Sequence, residues 1–80
     1  MPHNEGLTKA GEDFGRMVGR RLKQARKDQR LTRSEFAQKC EVTSKAVQYL
    51  EEGRTRFESL LFLRRAAVVA GVDLSELIAD

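Results

Sequence analysis

The sequence is poor in cysteine and histidine, the residues that cross-link small proteins through disulfides or metal ions, and also in proline and tryptophan. Its 80 residues include one cysteine, one histidine, one proline and no tryptophan. A single cysteine excludes a disulfide within the chain, so the core must be held together by side-chain packing. No Cys/His cluster has the spacing of metal ligands, and we expect neither a metal site nor a cofactor.

Long apolar runs are also missing. No stretch approaches the roughly 20 apolar residues of a membrane-spanning helix. The N-terminal segment MPHNEGLTKAGED lacks the apolar part of a signal peptide. We therefore expect a cytoplasmic protein with no membrane partner, a compartment that an unpaired cysteine also suits. The chain has no Gly-rich phosphate loop and no nucleophile–base pair, which predicts no catalytic residue and no enzyme activity.

Basic residues are concentrated in one stretch. The net charge is only +3 at pH 7, but eight Lys or Arg lie between Phe14 and Arg33, with Asp28 as the one acidic residue. Such a block is typical of a surface that binds phosphate groups. A solvated helix face that needs its charges for solubility explains the block equally well, so charge alone does not decide between the two interpretations.

Short apolar segments at helical spacing predict an all-α domain. We expect a flexible tail over residues 1–12 and a folded domain over residues 13–80. The first helix is predicted from about Asp13 to Lys27. Its inward apolar stripe is predicted to be Phe14, Val18, Leu22 and Ala25.

Two further helices are predicted near the C-terminus. The fourth helix could start at Thr55, which has Glu58 at capping-box spacing, or at Ser59. The apolar run that directly follows Ser59 favours that residue as the cap, and Gly71 as the end of the helix. Asp73 is the expected cap of a last helix that reaches Ile78. With short links between them, these helices must pack at steep angles and not as a long bundle.

The segment from Thr32 to Gly53, TRSEFAQKCEVTSKAVQYLEEG, is predicted to form two short helices joined by a tight turn. Thr32 and Glu35 have the spacing of a capping box, which satisfies backbone NH groups at the start of a helix. Thr43 can cap the second of the two helices. Glu41 lies in the turn between them, where a left-handed backbone would favour glycine.

The residue types and the spacings between helices form one pattern over about three quarters of the chain. Its positions are Leu22, Arg26, Leu31, Thr32, Phe36, Ala37, Val42, Val47, Leu50, Glu51, Gly53, Leu60, Leu63, Gly71, Val72 and Leu77. This pattern resembles helix-turn-helix domains of the Cro and phage-repressor type, also called the xenobiotic-response-element family. The resemblance implies a compact, five-helix, lambda-repressor-like domain with its helix-turn-helix at residues 32–53.

The chain departs from that family at three positions. Arg30 stands where the family often has glycine, and Glu41 stands where it usually has glycine. Arg33 stands where the phage repressors have glutamine. The resemblance further implies that Arg26 and Glu51 form a structural ion pair between the first and third helices.

In such domains the third helix, here residues 44–52, enters the major groove of double-stranded DNA. The implied base-contacting residues are Thr43, Ser44, Lys45, Gln48 and Tyr49. Their side chains offer donors, acceptors and a flat ring that can meet a thymine methyl group. Surface packing is the alternative for the tyrosine. The implied phosphate-contacting residues are Arg33, Arg54 and Arg56.

A homodimer is expected because one such domain makes few base contacts, and two copies on adjacent half-sites would make more. The fourth helix also carries more apolar residues than one inward stripe requires. The candidate dimer contacts are Leu61, Phe62, Val69, Leu74 and Ile78. A fully enclosed fourth helix is the alternative.

Cys40 is expected to be a small core residue, with a redox switch as the less favoured interpretation.

The leading functional hypothesis is a sequence-specific transcriptional regulator, such as a repressor, on a (pseudo)palindromic operator. The alternative is an antitoxin or protein-bridging module of the same fold, in which a protein partner such as a toxin is primary. General nucleic-acid compaction is a third hypothesis, and it would need positive charge but no base-contacting residues. The side chains of the third helix favour the first hypothesis.

Overall fold

The computed structural model describes residues 5–54 and 60–79. This part of the chain contains five helices and no strand. The helices are α1 (Glu5–Asp28), α2 (Arg33–Cys40), α3 (Ser44–Glu51), α4 (Leu60–Ala70) and α5 (Leu74–Ile78). The predicted all-α fold with five helices is therefore confirmed. Within those two ranges, no helix has both the length and the apolarity needed to span a bilayer.

The first helix begins earlier than the sequence predicted, at Glu5 and not near Asp13. The prediction relied on apolar periodicity, which reports the packing of a helix and not its presence. The added segment contains Leu7, Lys9 and Ala10, which are good helix formers, and lengthening an existing helix avoids the cost of nucleation. The division into a tail and a domain at residue 13 stays a prediction.

The start of α2 has the predicted capping box. Thr32 accepts a hydrogen bond from the backbone N–H of Glu35 at 3.1 Å, and the Glu35 carboxylate accepts one from the backbone N–H of Thr32 at 2.8 Å. The hydrogen bond from the Thr32 backbone is the main cause that lowers the pKa of Glu35. Each group satisfies a backbone donor that the helix itself leaves unpaired.

Two non-glycine residues have a left-handed backbone conformation. The φ angle is 59° at Arg30, between α1 and α2, and 62° at Glu41, between α2 and α3. The left-handed turn predicted at Glu41 is confirmed. Each of these residues costs about 1 kcal/mol of stability, because its Cβ atom crowds the following carbonyl.

The core lies where all five helices meet. Its buried apolar residues are Val18, Leu22, Ala25, Phe36, Ala37, Cys40, Val47, Leu50, Ala66, Ala67, Ala70 and Leu77. The inward stripe predicted for α1 is therefore correct except at Phe14, which is 45% exposed. No described residue of α1 before Met17 packs against the core, so Phe14 lies beyond the end of that packing.

The ends of α4 and α5 agree only in part with the sequence prediction. Gly71 ends α4 with a φ angle of 74°. The predicted cap Ser59 lies outside the described residues. Asp73 precedes α5 as predicted, but its side chain makes no capping hydrogen bond. The C-terminal end of α5 is held by Arg21, whose guanidinium donates to the backbone carbonyls of residues 76, 77 and 79.

Candidate nucleic-acid interface

The third helix has one face in the core and the opposite face toward solvent. Val47 and Leu50 are buried. Thr43 caps the helix by accepting a hydrogen bond from the backbone N–H of Ala46 at 3.1 Å. The helix ends at Glu51, one residue earlier than predicted, and Glu52 is its C-cap.

The C-terminal end of α3 rests directly on α1, at positions where α1 has glycine. A Cβ atom at Gly19 would lie 2.5 Å from the carbonyl oxygen of Leu50 and 2.6 Å from that of Glu51. A Cβ atom at Gly15 would lie 3.1 Å from the carbonyl oxygen of Gly53. Because both positions are glycine, the two helices can approach each other this closely. The contact fixes the position of α3 relative to α1.

A buried ion pair also joins α1 to α3. The Nε atom of Arg26 lies 2.6 Å from Oε2 of Glu51, with side chains that are 8% and 1% exposed. Arg26 donates a further hydrogen bond to the backbone carbonyl of Leu31 at 2.6 Å. These bonds satisfy charges that would be costly to bury unpaired. Arg26 thus lies within the molecule and away from its open surface.

The sequence analysis missed a second arginine on the same carboxylate. The Nε atom of Arg33 lies 3.0 Å from Oε1 of Glu51, and the Arg33 side chain is 37% exposed. Arg33 was expected only as a phosphate contact, yet it also links the start of α2 to the end of α3. The two residues are 18 positions apart in sequence, and no local pattern signals such a pair.

The solvent-facing side of α3 brings the predicted base-contacting residues together. Thr43, Ser44 and Lys45 are exposed, and Gln48 and Tyr49 are half-buried. We call this set the α3 face. It lies at the start and along one side of the helix, as its spacing requires.

Two cations lie against the ring of Tyr49. The Arg54 guanidinium carbon is 4.3 Å from the ring centroid, and the Lys45 ammonium is 5.6 Å from it. Both distances fall within the range of cation–π attraction. The ring of Tyr49 therefore attracts Lys45, within the α3 face, and Arg54, which lies beside that face. Arg56, the other predicted phosphate contact after α3, lies outside the described residues.

One acidic residue on this side of the molecule was not predicted as part of the site. The carboxylate of Glu52 accepts hydrogen bonds from Nε2 of Gln48 at 3.0 Å and from Nη1 of Arg54 at 3.3 Å. The bond from Gln48 is the main cause that lowers the pKa of Glu52, and Arg54 adds to the effect. The i, i+4 spacing of Gln48 and Glu52 was the sequence signal that could have revealed this contact.

The starts of α2 and α3 are adjacent in space. The hydroxyl oxygens of Ser34 and Ser44 lie 3.2 Å apart, and both side chains are exposed. The N-terminal ends of the two helices are therefore close together, and the dipoles at such ends favour anions.

The candidate dimer contacts fall into two groups. Leu61 is 58% exposed, Leu74 is 37% exposed and Ile78 is 38% exposed. Phe62 and Val69 are half-buried and pack against the chain's own core, and their part in a dimer contact stays a prediction. The residues of α4 that enter the core are small alanines, so larger neighbours fill the space beside them.

Cys40 is buried in the core, with 1% of its surface exposed. Burial raises the pKa of its thiol, which keeps the group protonated and weakly nucleophilic. The environment of Cys40 fits the interpretation as a small core residue.

Among the residues that the structure describes, no group of three or more His, Cys, Asp or Glu could hold a metal ion.

A family model described as a helix-turn-helix domain matches residues 18–79. The chain therefore belongs to this helix-turn-helix family, which is of the Cro and phage-repressor type. The match confirms the resemblance and the lambda-repressor-like fold, and it indicates a DNA-binding domain. Comparisons with curated proteins and with solved structures gave no match.

Proposed function

We propose that this protein is a transcriptional regulator that binds a specific double-stranded DNA site, with α3 in the major groove. The observation that carries the proposal is the composition of the α3 face. A helix held by its neighbours presents polar side chains to solvent and has two arginines, Arg33 and Arg54, near its C-terminal end. Non-specific binding would need the arginines but not the polar side chains along the helix.

The proposed base contacts follow from the chemistry of each exposed side chain. Lys45 can donate to the guanine O6 and N7 acceptors, and Gln48 can both donate to and accept from adenine. Ser44 and Thr43 can contribute hydroxyl groups, although the Thr43 hydroxyl is already used as a cap. Tyr49 is half-buried beneath Arg54, so we propose contact through its ring edge or hydroxyl.

The proposed phosphate contacts are Arg33, Arg54 and Arg56. Only the Nε atom of Arg33 bonds to Glu51 in the described structure, so its terminal nitrogens are positioned by a fixed neighbour. A guanidinium held in this way loses less conformational freedom when it binds a phosphate oxygen.

We further propose that the regulator acts as a homodimer on a (pseudo)palindromic operator. The exposed apolar residues Leu61, Leu74 and Ile78 support this arrangement, and Val68, which is 75% exposed, extends the apolar surface of α4. Leu61 and Val68 are seven residues apart and share one face of the helix. Sedimentation that gives a monomer at high concentration, with and without operator DNA, would contradict the dimer but not the DNA binding.

Selection of bound sites from a random duplex library tests the proposal. We expect an enriched motif with two related half-sites about one helical turn apart. At physiological salt, the selected site should bind at least about 10³-fold more tightly than a shuffled duplex. Equal affinity for the selected and shuffled duplexes would instead support general nucleic-acid compaction. Absence of binding to either duplex would favour the alternative in which a protein partner is primary.

A further inference from the structure

A second charged surface lies on α1. Arg16, Arg20, Lys23 and Lys27 are separated by four, three and four positions, which places them on one face of the helix. Lys23 is half-buried and the other three are exposed. We call these four residues the α1 basic stripe. At the helical rise of about 1.5 Å per residue the stripe is roughly 16 Å long.

Little of this charge is neutralised by neighbouring groups. Arg16 pairs with Asp13 at 2.6 Å. In the described residues, no carboxylate lies within ion-pair distance of Arg20, Lys23 or Lys27. None of the four residues is fully buried. The stripe thus holds positive charge that the packing of the fold does not require.

The α1 basic stripe adjoins the α3 face. Arg16 packs on Gly53, since a Cβ atom at Gly53 would lie 2.9 Å from Cγ of Arg16. Arg54 follows Gly53 directly in the chain and lies over the ring of Tyr49. Positive charge therefore continues from the end of α3, through Arg54, to the first residue of the stripe.

We propose that the α1 basic stripe binds the phosphate backbone of DNA beyond the base pairs that α3 contacts. The inference rests on the proposed function for the presence of a duplex at α3, but it concerns a separate surface. A row of cations suits the regular phosphates of a continuing duplex. An acidic protein fits less well, because positions of α1 that flank the stripe, such as Asp13 and Gln24, are polar and offer no apolar anchor for a protein interface.

Substitution of two stripe residues tests the proposal. The Arg20→Gln/Lys23→Gln variant is compared with Arg64→Gln/Arg65→Gln, which removes the same charge from exposed residues of α4. The probe is a random-sequence duplex of about 40 base pairs, or roughly four helical turns. Affinity is measured by fluorescence anisotropy between about 50 and 200 mM salt. Sedimentation of each variant checks that its oligomeric state is unchanged.

We expect the log–log salt dependence of the stripe variant to be shallower than that of the wild type by about 0.9 for each lost contact, or up to about 1.8 per bound subunit. The α4 variant should keep the wild-type slope. Equal slopes for the wild type and the stripe variant would overturn the proposal. If the first stripe variant fails to fold, Lys23→Gln/Lys27→Gln provides the same comparison.

Random-sequence DNA keeps this test independent of sequence recognition. If the library yields no motif, the proposed function fails while the slope comparison still decides the role of the stripe. If the library yields a motif, hydroxyl-radical footprints on the selected site add a second test. The stripe variant should lose backbone protection only at the outer ends of the site. Unchanged protection at those ends would contradict the proposal.

Discussion

The Nε atom of Arg33 lies 3.0 Å from Oε1 of Glu51, on the same carboxylate that binds Arg26. One buried carboxylate therefore joins three helices. It holds the first residue of α2 to the last residue of α3, while Arg26 ties both to α1. The geometry of the helix-turn-helix depends on this shared charge as well as on its apolar core.

Loss of Arg26 should destabilise the fold. Arg26→Ala strands a buried carboxylate, and breaking such a pair costs on the order of 3–5 kcal/mol. Because Arg33 keeps one cation on Glu51, we expect a value near the lower end of that range. Arg33→Ala, at a side chain that is 37% exposed, should cost only about 1 kcal/mol or less. Urea unfolding of the two variants measures both losses in the free energy of unfolding. A melt of Arg26→Ala that matches the wild type, together with weakened DNA binding, would show that Arg26 is a contact residue.

The Gly19→Ala substitution, which adds one methyl group, should also destabilise the protein. The added Cβ atom would meet the carbonyl oxygens of Leu50 and Glu51 at 2.5 and 2.6 Å, and backbone atoms cannot move aside cheaply. Overpacking of this kind costs about 1–3 kcal/mol. Gly11→Ala is the matched control in the same helix, because no atom lies within 4 Å of its added Cβ. That variant should gain up to about 1 kcal/mol from helix propensity. Equal effects of the two substitutions on thermal stability would contradict the close contact.

The left-handed turn between α2 and α3 should accept glycine with a gain in stability. Glu41 has a φ angle of 62° and an exposed side chain, so Glu41→Gly should add up to about 1 kcal/mol to the free energy of unfolding. Gln38→Gly is the control, at an exposed position within α2, and it should lower the free energy of unfolding by about 1 kcal/mol. A loss of stability in Glu41→Gly would indicate that the glutamate side chain makes a stabilising contact.

Glu52 should affect base discrimination through Gln48. Its carboxylate accepts a hydrogen bond from the Gln48 amide at 3.0 Å and thereby orients that amide. Glu52→Ala should reduce the preference for the selected site at the base pair that Gln48 contacts, while removal of a negative charge raises affinity for all DNA. Glu52→Gln should raise affinity but keep the preference, since its amide oxygen can still accept the bond. Competition between single-base variants of the site measures the effect. An unchanged preference in Glu52→Ala would limit the role of Glu52 to charge.

Local patterns accounted for most of the helix positions. The capping box of Thr32 and Glu35 and the glycine stop at Gly71 act over a few residues, so sequence spacing was enough to predict them. The solvent-facing side of α3 followed from helical periodicity in the same way. The extension of α1 to Glu5 could not be found by this route, because residues 5–12 show no apolar periodicity in the sequence.

Contacts between distant segments could not be predicted from spacing. The bond between Arg33 and Glu51 depends on how α2 is set against α3, and no motif encodes it. The packing of Phe62 against the core depends on the space that neighbouring alanines leave. The contacts of such side chains depend on how the helices pack against one another, which sequence spacing does not specify.

The most direct test of the central claim is the base preference of a variant that lacks the Lys45 side chain. Lys45→Ala and its control Lys39→Ala each remove one exposed lysine, the first from α3 and the second from α2. Site selection with each variant should show that Lys45→Ala loses preference at one base pair per half-site, by about 1–3 kcal/mol, while Lys39→Ala keeps the wild-type motif. An identical motif for the wild type and Lys45→Ala would contradict the claim that the exposed side of α3 contacts the bases.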